Sequence, residues 1–158
     1  MDERAGPERA IKRNASWIEA VEAALAERAG EATTRAILKA AGAECAEQIL
    51  RECGEILGRR PGTVDELLEA TNARRRRQLG LESLWTRTGD SARLRINECG
   101  CTLVKAGLAR ANPVHCLCTV GMFETLFSAV CRGSVNVEVL RTIGDGDDAC
   151  EFVVRFEA

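Results

Sequence analysis

The chain has 158 residues, of which 46% are hydrophobic and 29% charged, with a formal net charge of -2. That composition fits a folded globular unit and argues against disorder, and the near-balance of charge supplies no global field to attract nucleic acid. No apolar run approaches the roughly 20 residues that span a bilayer, and the opening MDERAGPERA is charged, so neither a membrane nor a secretion signal is expected. The expected location is the cytoplasm, where the eight cysteines are thiols.

The first half reads as helix. Ser16 and Glu19 have capping-box spacing, and Ile18, Val21 and Leu25 line one face before Gly30 supplies a stop, with the residues before about 10 loose. A second helix starts at Thr33 or Thr34 and runs to Gly58. Its apolar stripe is Ile37, Ala41, Cys45, Ile49, Cys53 and Ile56 or Leu57, which turns Cys45 and Cys53 inward as core residues. The alternative for Cys45 is an approach to the later cysteine pairs from beneath. A third helix follows Pro61-Gly62, with Thr63 as cap, Glu66 completing the box, and Val64, Leu67, Leu68 and Thr71 on its buried face. Arg74 to Arg77 fall in its last turns before Gly80, where cations complement the helix dipole; an anionic ligand or a partner surface is the other use for them.

After Gly80 the period changes. Ser83–Thr88 and Ala92–Glu98 read as a hairpin closed by Gly89-Asp90, with Leu94 and Ile96 facing the core. A helical period returns from Leu117 to Cys131 through Val120, Phe123, Leu126, Phe127 and Val130. Two more alternating runs follow, Val135-Val137-Val139 and Cys150-Phe152-Val154-Phe156, joined by the turn Gly144 to Asp148. That turn lacks the spaced oxygen ligands of a calcium loop and reads as a plain hairpin connection. The expected fold class is α+β: N-terminal helices, residues 1–80, packed on a ββαββ antiparallel-sheet module, residues 81–158, within one compact domain.

Chemistry concentrates between Asn97 and Gly121, in NECGCTLVKAGLARANPVHCLCTVG. Cys99 and Cys101 form one Cys-x-Cys pair at the end of the second strand. Cys116 and Cys118 form another at the start of the long helix, after the Asn112-Pro113 turn and directly after His115, the one histidine of the chain. If the pairs converge, Cys99, Cys101, Cys116 and Cys118, or three of them with His115, are candidate zinc ligands. Placed at a helix N-terminus, Cys116 or Cys118 is alternatively a thiol of lowered pKa, a nucleophile or redox centre, and the remaining reading is simple packing. His115 is the available proton carrier for such a nucleophile, with Glu124 or Glu98 as its orienting carboxylate. Cys131 and Cys150 fall on apolar faces and read as core.

The run from Asn112 to Phe156 resembles the 4-vinyl-reductase domain and its relatives in the TRAPP-component-like ligand-binding fold. The resemblance is carried by Cys116 or Cys118, Gly121, Val137-Glu138-Val139, Gly146-Asp147 and Cys150-Glu151-Phe152, and covers about the last 75 residues. With its helical first half, the chain is also similar to bacterial L-2-amino-thiazoline-4-carboxylic acid hydrolase-like proteins. What these resemblances imply is a pocket between helices and sheet for a small hydrophobic or heterocyclic ligand, in a homodimer. Some relatives hold zinc on a glutamate and cysteines around the final hairpin. This chain departs there: Thr142 stands where the middle cysteine is expected, Glu138 is displaced by one position, and Cys150 alone survives, which favours a different site near Cys99 to Cys118. The expected function is a small-molecule-binding or sensing domain with a metal-binding or thiol centre. The alternative is a hydrolase of cyclic amidines or thiazolines acting through Cys116, Cys118 or a metal-bound water.

Overall fold

Helix fills the first half of the chain in the computed structural model, which describes residues 5–80, 82 and 84–157. Helix α1, Ala5–Arg28, begins well before the expected Ser16 cap. Pro7 lies in its first turn, where a missing N–H costs nothing, and Ser16, in mid-helix, turns its hydroxyl back to the Lys12 carbonyl at 3.1 Å. Helix α2, Glu31–Leu57, likewise starts ahead of Thr33. Thr34 does not cap it; its buried hydroxyl donates to the Leu25 carbonyl at 2.8 Å and ties α2 to the end of α1. Helix α3, Val64–Leu79, follows its local signals: the Thr63 hydroxyl accepts the Glu66 N–H, and Glu66 Oε2 accepts the Gly62 N–H at 2.8 Å.

The buried stripe of α2 is Gly42, Ala46, Leu50 and Cys53, rotated from the expected one; Ile37 is 44% exposed and Cys45 is also exposed. The reason is the close crossing of α2 with α5, Pro113–Ser128. A Cβ on Gly42 would lie 1.9 Å from the Cys118 carbonyl oxygen, and one on Gly121 would lie 2.1 Å from that of Lys39. Only a residue without a side chain admits such an approach of two backbones. The crossing, not the largest apolar side chains, sets the rotation of α2.

Among the described residues four antiparallel strands form one sheet in the order β1-β2-β4-β3: β1 Thr86–Thr88, β2 Ser91–Ile96, β3 Val135–Arg141 and β4 Cys150–Phe156. Gly89, with φ +56, and Asp90 close the first hairpin, as expected from that dipeptide. The strand β1 is shorter than its sequence pattern; its expected start, Ser83, lies outside the described residues. Trp85 just ahead of it is pinned instead by the Asn72 side chain, which accepts the Trp85 N–H at 2.8 Å and donates to its carbonyl at 3.0 Å. Because β4 is central, Ile96 at the end of β2 pairs with Cys150 at the start of β4. The segment carrying Cys99 and Cys101 thereby leaves the sheet beside the final hairpin.

The α+β architecture is as the sequence indicates, with a short helix α4, Thr102–Lys105, that periodicity did not reveal. The core sits between α2, α3, α5 and one sheet face. Leu50, Leu67, Leu94, Phe127 and Val154 are at most 1% exposed there, each worth on the order of 2 kcal/mol of transfer free energy. Trp85 meets Phe123 and Phe127 edge-on with centroids 4.9 and 5.3 Å away, and Phe123 meets Phe152 at 5.0 Å. The acidic turn holds itself together: Thr142 caps a 3-10 turn over Ile143–Asp145, and its N–H donates to Asp147 Oδ2 at 3.1 Å. Among the described residues no helix is long and apolar enough to cross a membrane.

Candidate functional site: a thiol-lined cavity

Where α2, α3 and α5 splay over the sheet, they leave a cavity of about 220 Å³. Ile49, Trp85, Met122, Phe123, Leu126 and Phe152 supply its apolar wall. Ile96 adds to that wall, and the rest of the lining includes both Cys-x-Cys pairs, His115, Cys45 and Cys150. The pairs do converge on one space. Cys45 lines it from α2, which is the approach from beneath rather than the core position the helical pattern favoured, whereas Cys53 is fully buried.

The centre of the polar wall is His115. Asn112 caps α5 by accepting the His115 N–H at 2.8 Å, and Pro113 occupies the first turn, so the cap fixes the backbone from which the imidazole projects. Nδ1 lies 2.6 Å from Glu22 Oε1 and Nε2 lies 3.4 Å from Cys101 Sγ. The other oxygen of Glu22 accepts from Asn112 Nδ2 at 2.9 Å. His115 and Glu22 are each only 6% exposed. A proton on each ring nitrogen lets His115 donate to both neighbours at once. The hydrogen bond with Cys101, opposed by burial and reinforced by Glu22, raises the imidazole to about 9.

The cysteines separate accordingly. Burial pushes the Cys101 thiol up, but the bond to His115 and the Val104 and Leu103 backbone amides outweigh it, and the thiol titrates below its usual range. Burial pushes Cys116 up to about 11 and Cys118 up to about 12. The expected activation at the α5 N-terminus therefore does not reach those two. Cys116 packs into the final turn, where a Cβ on Gly144 would lie 2.5 Å from its Sγ. Cys150 Sγ accepts the Ile143 N–H at 3.4 Å.

Of the expected carboxylates, Glu124 is held by Lys39 at 2.6 Å and Glu98 by Lys105 at 3.4 Å. The carboxylate that meets His115 is Glu22, which the sequence reading did not single out. It stands on the α1 face carrying Ile18 and Leu25, at helical spacing, so a carboxylate within that apolar stripe was the available signal. The arginine run divides as well. Arg76 and Arg77 lie in the last turn of α3, while Arg74 pairs with Glu52 and Arg75, 8% exposed, lies in the cavity wall. Burial, with Arg74 beside it, lowers Arg75 to about 10.

Among the described residues no group of three or more His, Cys, Asp or Glu side chains is arranged to hold a metal ion. Cys99, Cys101, Cys116 and Cys118 share the cavity without forming a ligand cage. At the final hairpin Cys150 is engaged with the Ile143 amide, and Glu138 pairs with Arg155.

Helices over one face of an antiparallel sheet, enclosing a small cavity, define an α+β fold that this chain shares with known ligand-holding proteins. The trafficking protein particle complex subunit 3 from Naegleria fowleri, solved covalently bound to palmitic acid, superposes with a TM-score of 0.60 at 15% identity, covering 99% of this chain and 98% of its own. The phenol-responsive sensory domain of the transcription activator PoxR, solved with phenol, gives 0.58 at 15% identity, covering 90% and 74%. The chain itself belongs to DUF6144, a family of unknown function, whose pattern it matches over residues 4–156. No curated protein matches it. The TRAPP-component-like part of the expected resemblance thus holds at the level of fold, and nothing in these comparisons points to a thiazoline hydrolase.

Proposed function

We propose that the protein is a small-molecule-binding, sensory-type domain whose ligand occupies the cavity between α2, α3, α5 and the sheet. The observation that carries this reading is the cavity: an aromatic and aliphatic wall facing a polar wall of Arg75, Thr71, His115 and Cys101. That is the arrangement by which sites bury an apolar body and orient it with a few polar contacts. At about 220 Å³ it falls below the roughly 300–1,000 Å³ of drug-sized sites, which selects a single ring or a short chain. Two proteins of this fold hold small molecules, one phenol and one palmitic acid, in support of the same use here.

Phenol is the first probe. Titrated into the full-length chain, it should raise the melting temperature in a saturable way; the absence of any shift up to millimolar phenol would reject the reading. The proposed location is the cytoplasm, a reducing compartment in which the cysteines stay thiols. The working form is a homodimer. Trp17, 68% exposed, and Val21, 38% exposed, stand one turn apart on α1 beside a shallow apolar depression formed by Ala24, Leu25 and Ala29. A second copy covering that face removes it from water. Light scattering should give twice the chain mass for the wild type and a monomer for Trp17→Glu; a monomeric wild type would exclude the dimer.

A further inference from the structure

We propose that Cys101 is a nucleophile that accepts the acyl group of a small activated ester or thioester held in the cavity, with His115 as its proton partner and Glu22 positioning His115. The proposal rests on the ligand-binding reading, because the acyl moiety would occupy the same cavity.

Cys101, His115 and Glu22 come from three separate elements and meet in one line: Sγ to Nε2 at 3.4 Å, then Nδ1 to Oε1 at 2.6 Å. A thiol next to an imidazole that is itself oriented by a carboxylate is the arrangement that activates cysteine nucleophiles on unrelated folds. Cys101 and His115 both line the cavity, whereas Glu22 lies behind the imidazole, fixed by Asn112 and excluded from solvent. The other titratable groups near the sulfur are Cys99 just ahead of it in the chain, Cys45 from α2 and Cys118 from α5. Of these sulfurs, Cys101 is the one within hydrogen-bonding reach of His115 Nε2.

The step balances without a redox partner. With the thiol proton held on His115 Nε2, Cys101 Sγ attacks the carbonyl carbon, and the carbonyl electron pair moves to oxygen. Its return breaks the bond to the leaving oxygen or sulfur, which takes the proton from His115 Nε2. The products are an acyl thioester on Cys101, a neutral His115 and a free alcohol or thiol.

The test uses the reduced full-length chain with p-nitrophenyl acetate. A burst of one nitrophenolate per chain is expected, with one acetyl group on the peptide containing Cys101. Cys101→Ser should abolish the burst, His115→Asn should slow it by about 100-fold or more, and Glu22→Gln should displace its pH–rate profile. Cys131→Ser, outside the cavity, should react as the wild type does. Absence of the burst, an acetyl group on Cys116 or Cys118, or an undiminished burst in Cys101→Ser overturns the proposal. Phenol binding measured on the same samples separates the two readings. If phenol binds and no acetylation occurs, the nucleophile fails and the cavity reading stands; if neither occurs, both fail. Retained phenol binding by Cys101→Ser shows that this variant is folded.

Discussion

Glu22 and His115 show how a polar pair can be affordable in a core. Each atom that could be left unsatisfied has a partner: both ring nitrogens of His115, and both oxygens of Glu22. Removing one member strands the other, and His115→Ala should destabilise the fold by about 3–5 kcal/mol, measured by urea denaturation; a change below about 1 kcal/mol would contradict the pairing. The pH dependence needs both signs. A His115 raised to about 9 contributes stability that is present below its ordinary 6.5 and lost as pH rises through about 9. The lowered Cys101 contributes stability that is present above its ordinary 9.0 and lost as pH falls through its depressed value. The two trends oppose between the depressed Cys101 value and about 9, so there the intact pair adds little slope to stability and thiol reactivity reports it better. Iodoacetamide should label Cys101 first at neutral pH, with a rate that persists well below the ordinary thiol pKa. Equal labelling of Cys101, Cys116 and Cys118 would contradict the charge arrangement. Sequence alone located His115 and the cysteine pairs but not the pairing of charge, because Glu22 is separated from His115 by most of the chain and meets it only through the packing of α1 on α5.

At the scale of elements, what could be read was what local chemistry decides. The α3 start and the Gly89-Asp90 hairpin need nothing beyond their own residues. Thr63→Ala should cost about 1 kcal/mol, visible as a lower urea midpoint at unchanged slope. The rotation of α2 could not be read in this way. Its pattern of large apolar residues pointed to Ile37 and Cys45, yet the helix turns Gly42 and Ala46 toward α5 because small residues permit the closest approach. Gly121→Ala places a methyl group 2.1 Å from the Lys39 carbonyl oxygen. It should therefore destabilise by about 1–3 kcal/mol or more, although alanine is the better helix former. A neutral or stabilising result would mean that α2 and α5 do not cross as described.

The whole molecule was legible as a class and not as a container. Alternating strands with one greasy face, preceded by helices, indicated an α+β layer structure, and an antiparallel sheet with helices on one face is found. The cavity depends on how far the helices splay and on which side chains leave space, and neither is encoded in a local period. Its central role makes one measurement decisive. The chain has two tryptophans; Trp17 is exposed and Trp85 lies in the cavity wall. In Trp17→Phe, fluorescence therefore reports from the cavity alone. Titration with phenol should give a saturable change in Trp85 emission that Cys45→Phe, which fills part of the space, weakens at least tenfold, roughly 1.4 kcal/mol. A Trp85 signal that does not respond to phenol in the folded protein would contradict the assignment of this cavity as the ligand site.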